Sequence, residues 1–155
     1  MTTAGAGGGK VERDEPHRGD RDDRDAICDV LVRYATGIDR RDWDLFRSCF
    51  TDDCHVIDEG IGTWDSVEAI TAFMVEVHAP VGHTLHRMSN VAVEVHPDRT
   101  RGRARSYVDA LLMAPDGRHG VNAAGFYDDE LVGADGQWRI ATRTFTMVQS
   151  GTVGD

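Results

Sequence analysis

From Thr84 onward the chain is a succession of strand-length runs parted by turn-forming tetrapeptides. The runs are Thr84 to Val95, Arg101 to Ala114, Gly120 to Val132 and Gln137 to Val148. The breaks are His96-Pro-Asp-Arg99, Ala114-Pro-Asp-Gly117 and Gly133-Ala-Asp-Gly136. Runs this long, joined this tightly, pair with their sequence neighbours as antiparallel hairpins. Val91, Val93 and Val95 alternate with polar or small residues, as do Ser106, Val108, Ala110 and Leu112. That alternation turns one sheet face toward a core.

The N-terminal half carries the opposite period. Ile27, Val30, Leu31, Tyr34, Ala35 and Ile38 mark one face of a helix expected from about Asp22 to Arg40. A short helix over Trp43 to Phe50 follows, with Thr51-Asp-Asp53 read as a turn and Cys54 to Asp58 as a strand. Gly60-Ile-Gly62 is a tight connection into a second strand at Thr63-Trp64, and Ser66 is placed to cap a third helix from Val67 to His78. Helices followed by long strands specify an α+β fold, in which a curved antiparallel sheet wraps around the N-terminal helices as an apolar-lined cone.

The length of 155 residues suits one domain, expected over residues 22–150. Residues 1–21 are Gly-rich and then mixed-charge with little that is apolar, and read as a disordered tail; 151–155 read as a C-terminal tail. The net charge is −10, and Lys10 is the single lysine among 17 basic residues, with no basic stripe, which argues against nucleic acid. The Arg-, Gly- and Ala-rich composition fits a high-GC bacterial genome. No apolar run is long enough for a membrane span and no signal-peptide layout is seen, so a cytoplasmic protein is expected. Cys28, Cys49 and Cys54 form no metal or redox pattern and read as small buried hydrophobes. His83 and His86 point to opposite faces of an extended segment, while His78, His96 and His119 sit near loop ends and read as solvated; no metal site is expected.

Asp39 lies at the edge of the first helix's apolar face, and His86 at the start of a strand. A carboxylate that orients an imidazole makes a base for proton abstraction. The plainer alternative is that a strand His is structural, and that an Asp at a helix end only caps or is solvated.

Several segments carry a family resemblance. They are Arg33-Tyr-Ala-Thr-Gly-Ile-Asp-Arg-Arg-Asp-Trp-Asp44, Phe50-Thr-Asp-Asp53, Glu59-Gly-Ile-Gly62, His83-Thr-Leu-His86 with Ser89-Asn90, Gly125-Phe-Tyr-Asp128 and Gly136-Gln-Trp-Arg-Ile140. In this order and spacing, the chain from about Asp25 to Ser150 resembles the SnoaL-like branch of the nuclear transport factor 2-like superfamily. The resemblance implies a cystatin-like α+β barrel. It is nearest in character to members of the dehydrochlorinase and scytalone dehydratase type, which eliminate with an Asp-His base and no cofactor. Carried over, His86 is the base, Asp39 its orienting acid and Arg143 a cation on the last strand. Tyr34 stands where the dehydrochlorinase has a lysine, which sets this chain apart from dehydrochlorination. Trp43, Trp64, Met88, Asn90, Ser106, Val108 and Tyr127 are the expected substrate-binding residues, Asn90 because it shares strand parity with His86 and Met88.

The implied function is a dehydratase, lyase or isomerase acting on a small hydrophobic oxygenated substrate. A polyketide or other secondary-metabolite cyclase using the same pair is the alternative, as is a non-catalytic ligand-binding domain. Asp58 and Asp109 would matter instead if the chemistry were epoxide hydrolysis. A homodimer or homotrimer through the sheet face is expected from the exposed apolar alternation.

Overall fold

The computed structural model describes residues 18–134 and 136–154. In chain order the elements are α1 (Arg18–Arg40), α2 (Trp43–Arg47), β1 (Phe50–Asp58), β2 (Gly62–Trp64), α3 (Val67–His78), β3 (Thr84–Val95), β4 (Arg101–Met113), β5 (Gly120–Ala134) and β6 (Gln137–Val153). The helix α1 starts four residues earlier than its apolar spacing indicates, so residues 18–21 of the expected tail are helical; residues 1–17 lie outside the described residues. The last strand likewise runs through most of the expected C-terminal tail.

The strands form one open, curved sheet in the order β2-β1-β6-β5-β4-β3. The hairpins β3–β4, β4–β5 and β5–β6 are antiparallel, as their short connections require. The pairing of β1 with β6 is parallel, with Val56 opposite Arg143 and Asp58 opposite Phe145. The extent of β1 corrects the reading of residues 51–53. Their polar sequence suggests a turn, yet they continue β1.

α1 lies against the sheet with Ile27, Val30, Leu31 and Ile38 fully buried and Tyr34 nearly so. Each such side chain contributes about 1.5–3 kcal/mol of burial. Asp42 caps α2, its side chain accepting from the Leu45 amide at 2.9 Å. The helix α2 can fold back onto α1 because position 37 is glycine. A Cβ there would meet the Phe46 amide nitrogen at 2.8 Å. Ser66 caps α3 as its sequence predicts, accepting from the Ala69 amide at 3.2 Å.

Cys49 and Cys54 are buried and Cys28 is partly so. Burial pushes all three thiols up, that of Cys54 to about 11. The outer sheet face carries cross-strand ion pairs, Arg103–Glu130, Arg105–Asp128 and Arg87–Asp109. Leu85 and Tyr107 are about half exposed on that face. Among the described residues, no helix is long and apolar enough to cross a membrane.

Candidate active site

The inner face of the sheet, α1 and α3 enclose a cavity of about 420 Å³. Its walls are mostly apolar, among them Ile70, Phe73, Met74, Leu112 and Phe145. Seven residues with hydrogen-bonding side chains break that lining: Tyr34, Asp58, Trp64, His78, His86, Tyr127 and Arg143.

Asp39 stands behind His86, in the last turn of α1, and holds it twice. Its carboxylate accepts from the His86 ring at Nδ1 (2.7 Å) and from the His86 backbone amide (2.9 Å). The Thr84 hydroxyl donates a third bond at 2.8 Å. Burial acts to raise the Asp39 pKa, but the ring, the amide and the hydroxyl together outweigh it and keep the carboxyl below its ordinary range. An ionised carboxylate can only accept, so Nδ1 carries the ring hydrogen. The other ring nitrogen, Nε2, is not engaged by Asp39, and the ring lines the cavity.

The helix end is fixed to β3 by Arg41, which adopts a left-handed φ of 57° just after α1. Its guanidinium donates to the carbonyls of Ile38 and Gly82 and to the Thr84 hydroxyl, at 2.7, 2.8 and 3.0 Å. This clasp sets the distance between Asp39 and His86. Neither Arg41 nor Thr84 is singled out from the sequence, although both lie within the family-matched segments.

Arg143 is 1% exposed. It pairs with its cross-strand partner Asp129 through two bonds, Nε at 2.7 Å and Nη2 at 2.8 Å. Its guanidinium carbon lies 4.0 Å from the Tyr34 ring centre and 4.1 Å from that of Tyr127. Burial opposes the charge, but the Asp129 carboxylate overcomes it and keeps the guanidinium firmly protonated. Nη1 is buried with no hydrogen-bond partner among the described residues. The Tyr34 and Tyr127 hydroxyls lie 3.3 Å apart. Burial and the neighbouring phenol push Tyr127 well above its ordinary value, so it stays neutral.

Of the other expected residues, Trp64, Val108 and Tyr127 line the cavity and four do not. Trp43 packs edge-on against Phe46 and His78, one layer behind the wall. Met88 is partly buried and packs against the core. Ser106 is fully buried beside its cross-strand partner Tyr127. Asn90 is exposed, with φ 48°, at an irregularity between Ser89 and Ala92. The buried face shifts there from Thr84 and His86 to Val93 and Val95, so strand parity does not carry Asn90 inward.

His78 reverses its sequence reading: it is 5% exposed and lines the cavity. It follows Ile70 and Met74 at i+8 and i+4, a spacing that places all three on one helical face. Asp58 also lines the cavity; one of its oxygens is buried without a partner among the described residues, and burial pushes its carboxyl up to about 6. Asp109, by contrast, pairs with Arg87 on the outer face. A separate hollow of about 490 Å³ lies over the β3–β4 turn, lined by Glu94, Arg101, Arg103 and Glu130, and contains none of these groups.

Residues 20–144 match the family model described as a SnoaL-like domain. The chain belongs to the SnoaL-like family. Hexachlorocyclohexane dehydrochlorinase 1 of Sphingobium indicum is 29% identical over 122 residues, 76% of this chain and 77% of its own length. An uncharacterised protein of Mycobacterium tuberculosis is 27% identical over 125 residues, 80% of this chain and 84% of its own. Among solved structures, hexachlorocyclohexane dehydrochlorinase LinA-type3 from Novosphingobium barchaimii superposes with a TM-score of 0.74 at 23% identity, covering 84% of this chain and 89% of that one. A scytalone dehydratase-like protein from Novosphingobium aromaticivorans gives 0.75 at 22% identity, covering 82% and 85%. At these identities the structural likenesses establish the SnoaL-like fold, and chemistry has to be argued from the site.

Proposed function

We propose that this SnoaL-like protein is a cofactor-independent acid–base enzyme, a lyase of the dehydratase kind or an isomerase. Its substrate is a small, largely hydrophobic, oxygenated molecule. The observation that carries the reading is the double grip of Asp39 on His86 at the wall of an apolar cavity. In this reading His86 Nε2 removes a proton from a carbon next to a carbonyl or next to the carbon that bears the leaving group. Asp39 fixes the tautomer and stabilises the imidazolium that forms. Arg143 Nη1, unpartnered among the described residues and held rigidly by Asp129, donates to the negative charge that develops on the substrate. The Tyr34 phenol stands beside it, and Trp64, Val108 and Tyr127 shape the wall. The likeness to a dehydrochlorinase, itself an eliminating enzyme, supports elimination over transfer chemistry. Ring closure of a secondary metabolite would use the same base. We extend the proposal to a homodimer or homotrimer through the outer sheet face, where Leu85 and Tyr107 are exposed.

The test is a panel of cyclic ketones and β-hydroxyketones incubated in D₂O and followed by proton NMR for loss of the α-proton and appearance of the alkene. Both His86→Ala and Asp39→Asn are expected to lower the rate about 10²–10⁴-fold. A rate unchanged in His86→Ala, or a panel on which the wild type does nothing, would overturn the assignment.

A further inference from the structure

The cavity contains a second imidazole that the proposed chemistry does not use. His78 closes α3, and its Nδ1 lies 2.9 Å from the Met74 carbonyl oxygen. A carbonyl only accepts, so Nδ1 carries the ring hydrogen and Nε2 holds a lone pair. That Nε2 is buried and has no partner among the described residues. Burial is the strongest influence on the ring and pushes its pKa down; the Met74 bond and the Asp39 charge oppose this, while Arg41 and His86 add to it. His78 is therefore a neutral ring with a fixed tautomer and an acceptor atom that nothing among the described residues satisfies.

A buried acceptor with no partner costs stability that an apolar side chain of similar size would not. The neighbours on this helical face, Ile70 and Met74, are apolar. The His78 ring centre is 6.4 Å from that of His86, and both rings line the same cavity. One small molecule can therefore touch both rings.

We infer that His78 determines specificity: its Nε2 accepts a hydrogen bond from a ligand hydroxyl, so the cavity selects hydroxylated apolar molecules over their ethers. The inference rests on reading the cavity as the substrate site, and it adds that the substrate presents a hydroxyl near the atom that His86 deprotonates. Chemically, an acceptor-only imidazole recognises an O–H donor and rejects an alkoxy group, which has no hydrogen to give.

The test compares 2-naphthol with 2-methoxynaphthalene, which share an apolar skeleton and differ in the donor. Calorimetry on the wild type is expected to show 2-naphthol binding about tenfold more tightly. That advantage should disappear in His78→Phe and return in His78→Gln, whose amide oxygen restores an acceptor. Wild-type protein labelled with ¹⁵N-histidine supplies a readout that does not depend on a variant folding. The unprotonated His78 Nε2 resonance should move upfield with 2-naphthol and stay in place with the ether. Equal affinity for the two probes, no binding of either, an advantage that survives in His78→Phe, or an unmoved His78 resonance would each overturn the assignment. Binding of these probes needs no turnover, so loss of the His86 mechanism and loss of the His78 role are read separately.

Discussion

Replacing Asp58 with Asn isolates the cost of holding a charge in the cavity wall. The Asp58 carboxyl has one buried oxygen without a partner among the described residues, and burial alone pushes it from the ordinary 3.8 up to about 6. A tenfold change in proton affinity is worth about 1.4 kcal/mol, so the ionised form carries a ceiling of roughly 3 kcal/mol. The group is only about half buried, and solvent screening reduces the expected figure to about 1–2 kcal/mol. Below 3.8 the carboxyl is protonated in both folded and unfolded chains, and the penalty is absent. Between 3.8 and about 6 the folded protein holds the proton and the unfolded chain does not, so stability falls as pH rises through this window. Above it the full penalty remains. Urea unfolding of wild type and Asp58→Asn, from about pH 4 to 8, should show two curves that meet near pH 4 and separate by about 1–2 kcal/mol at about pH 7.5, with the variant the more stable. A difference that does not change with pH would refute the reasoning, because the amide would then be acting by some route other than removal of a buried charge.

Two further outcomes follow from the packing. Asp129→Asn leaves the Arg143 guanidinium buried beside an uncharged partner and should cost about 3–5 kcal/mol in urea unfolding, whereas Asp128→Asn, at the exposed Arg105 pair, should cost less than about 1 kcal/mol. Gly37→Ala drives a methyl group into the Phe46 backbone and should destabilise the protein by about 1–3 kcal/mol, read as a lower thermal midpoint.

The legible parts of the fold are those with a clean period. The α1 stripe, the Ser66 cap and the four long strands follow from spacing and turn chemistry, and the Asp39–His86 pairing follows from the family segments. What escapes has physical reasons. Asn90 defies its parity because parity holds only along an unbroken ladder, and β3 changes its buried face between Ser89 and Ala92. Residues 51–53 look like a turn because Thr and Asp are turn formers, yet they stay extended across an irregularity in the β1–β6 ladder, between the pairs at Phe50 and His55. His78 lies near a loop, which suggests solvation, but its spacing from Ile70 and Met74 is the better guide. The apolar wall supplied by Phe145 is findable at i+2 from Arg143 on the same strand.

The parallel pairing of β1 with β6 also sets a timetable. The hairpins and the α1–β3 contact join segments nearer in sequence, whereas the paired residues of β1 and β6 lie about ninety positions apart, so β6 leaves the ribosome well after β1. The His86 clasp is complete once β3 has emerged, but Arg143 and Phe145 arrive only with β6. Docking β6 against β1 closes a long loop, which is a slow kind of contact to form. Until it forms, the His86 ring faces a cavity that lacks Arg143 and Phe145. The Arg143 guanidinium and the apolar wall at Phe145 are therefore delivered to the cavity together, by the one docking step that pairs β6 with β1.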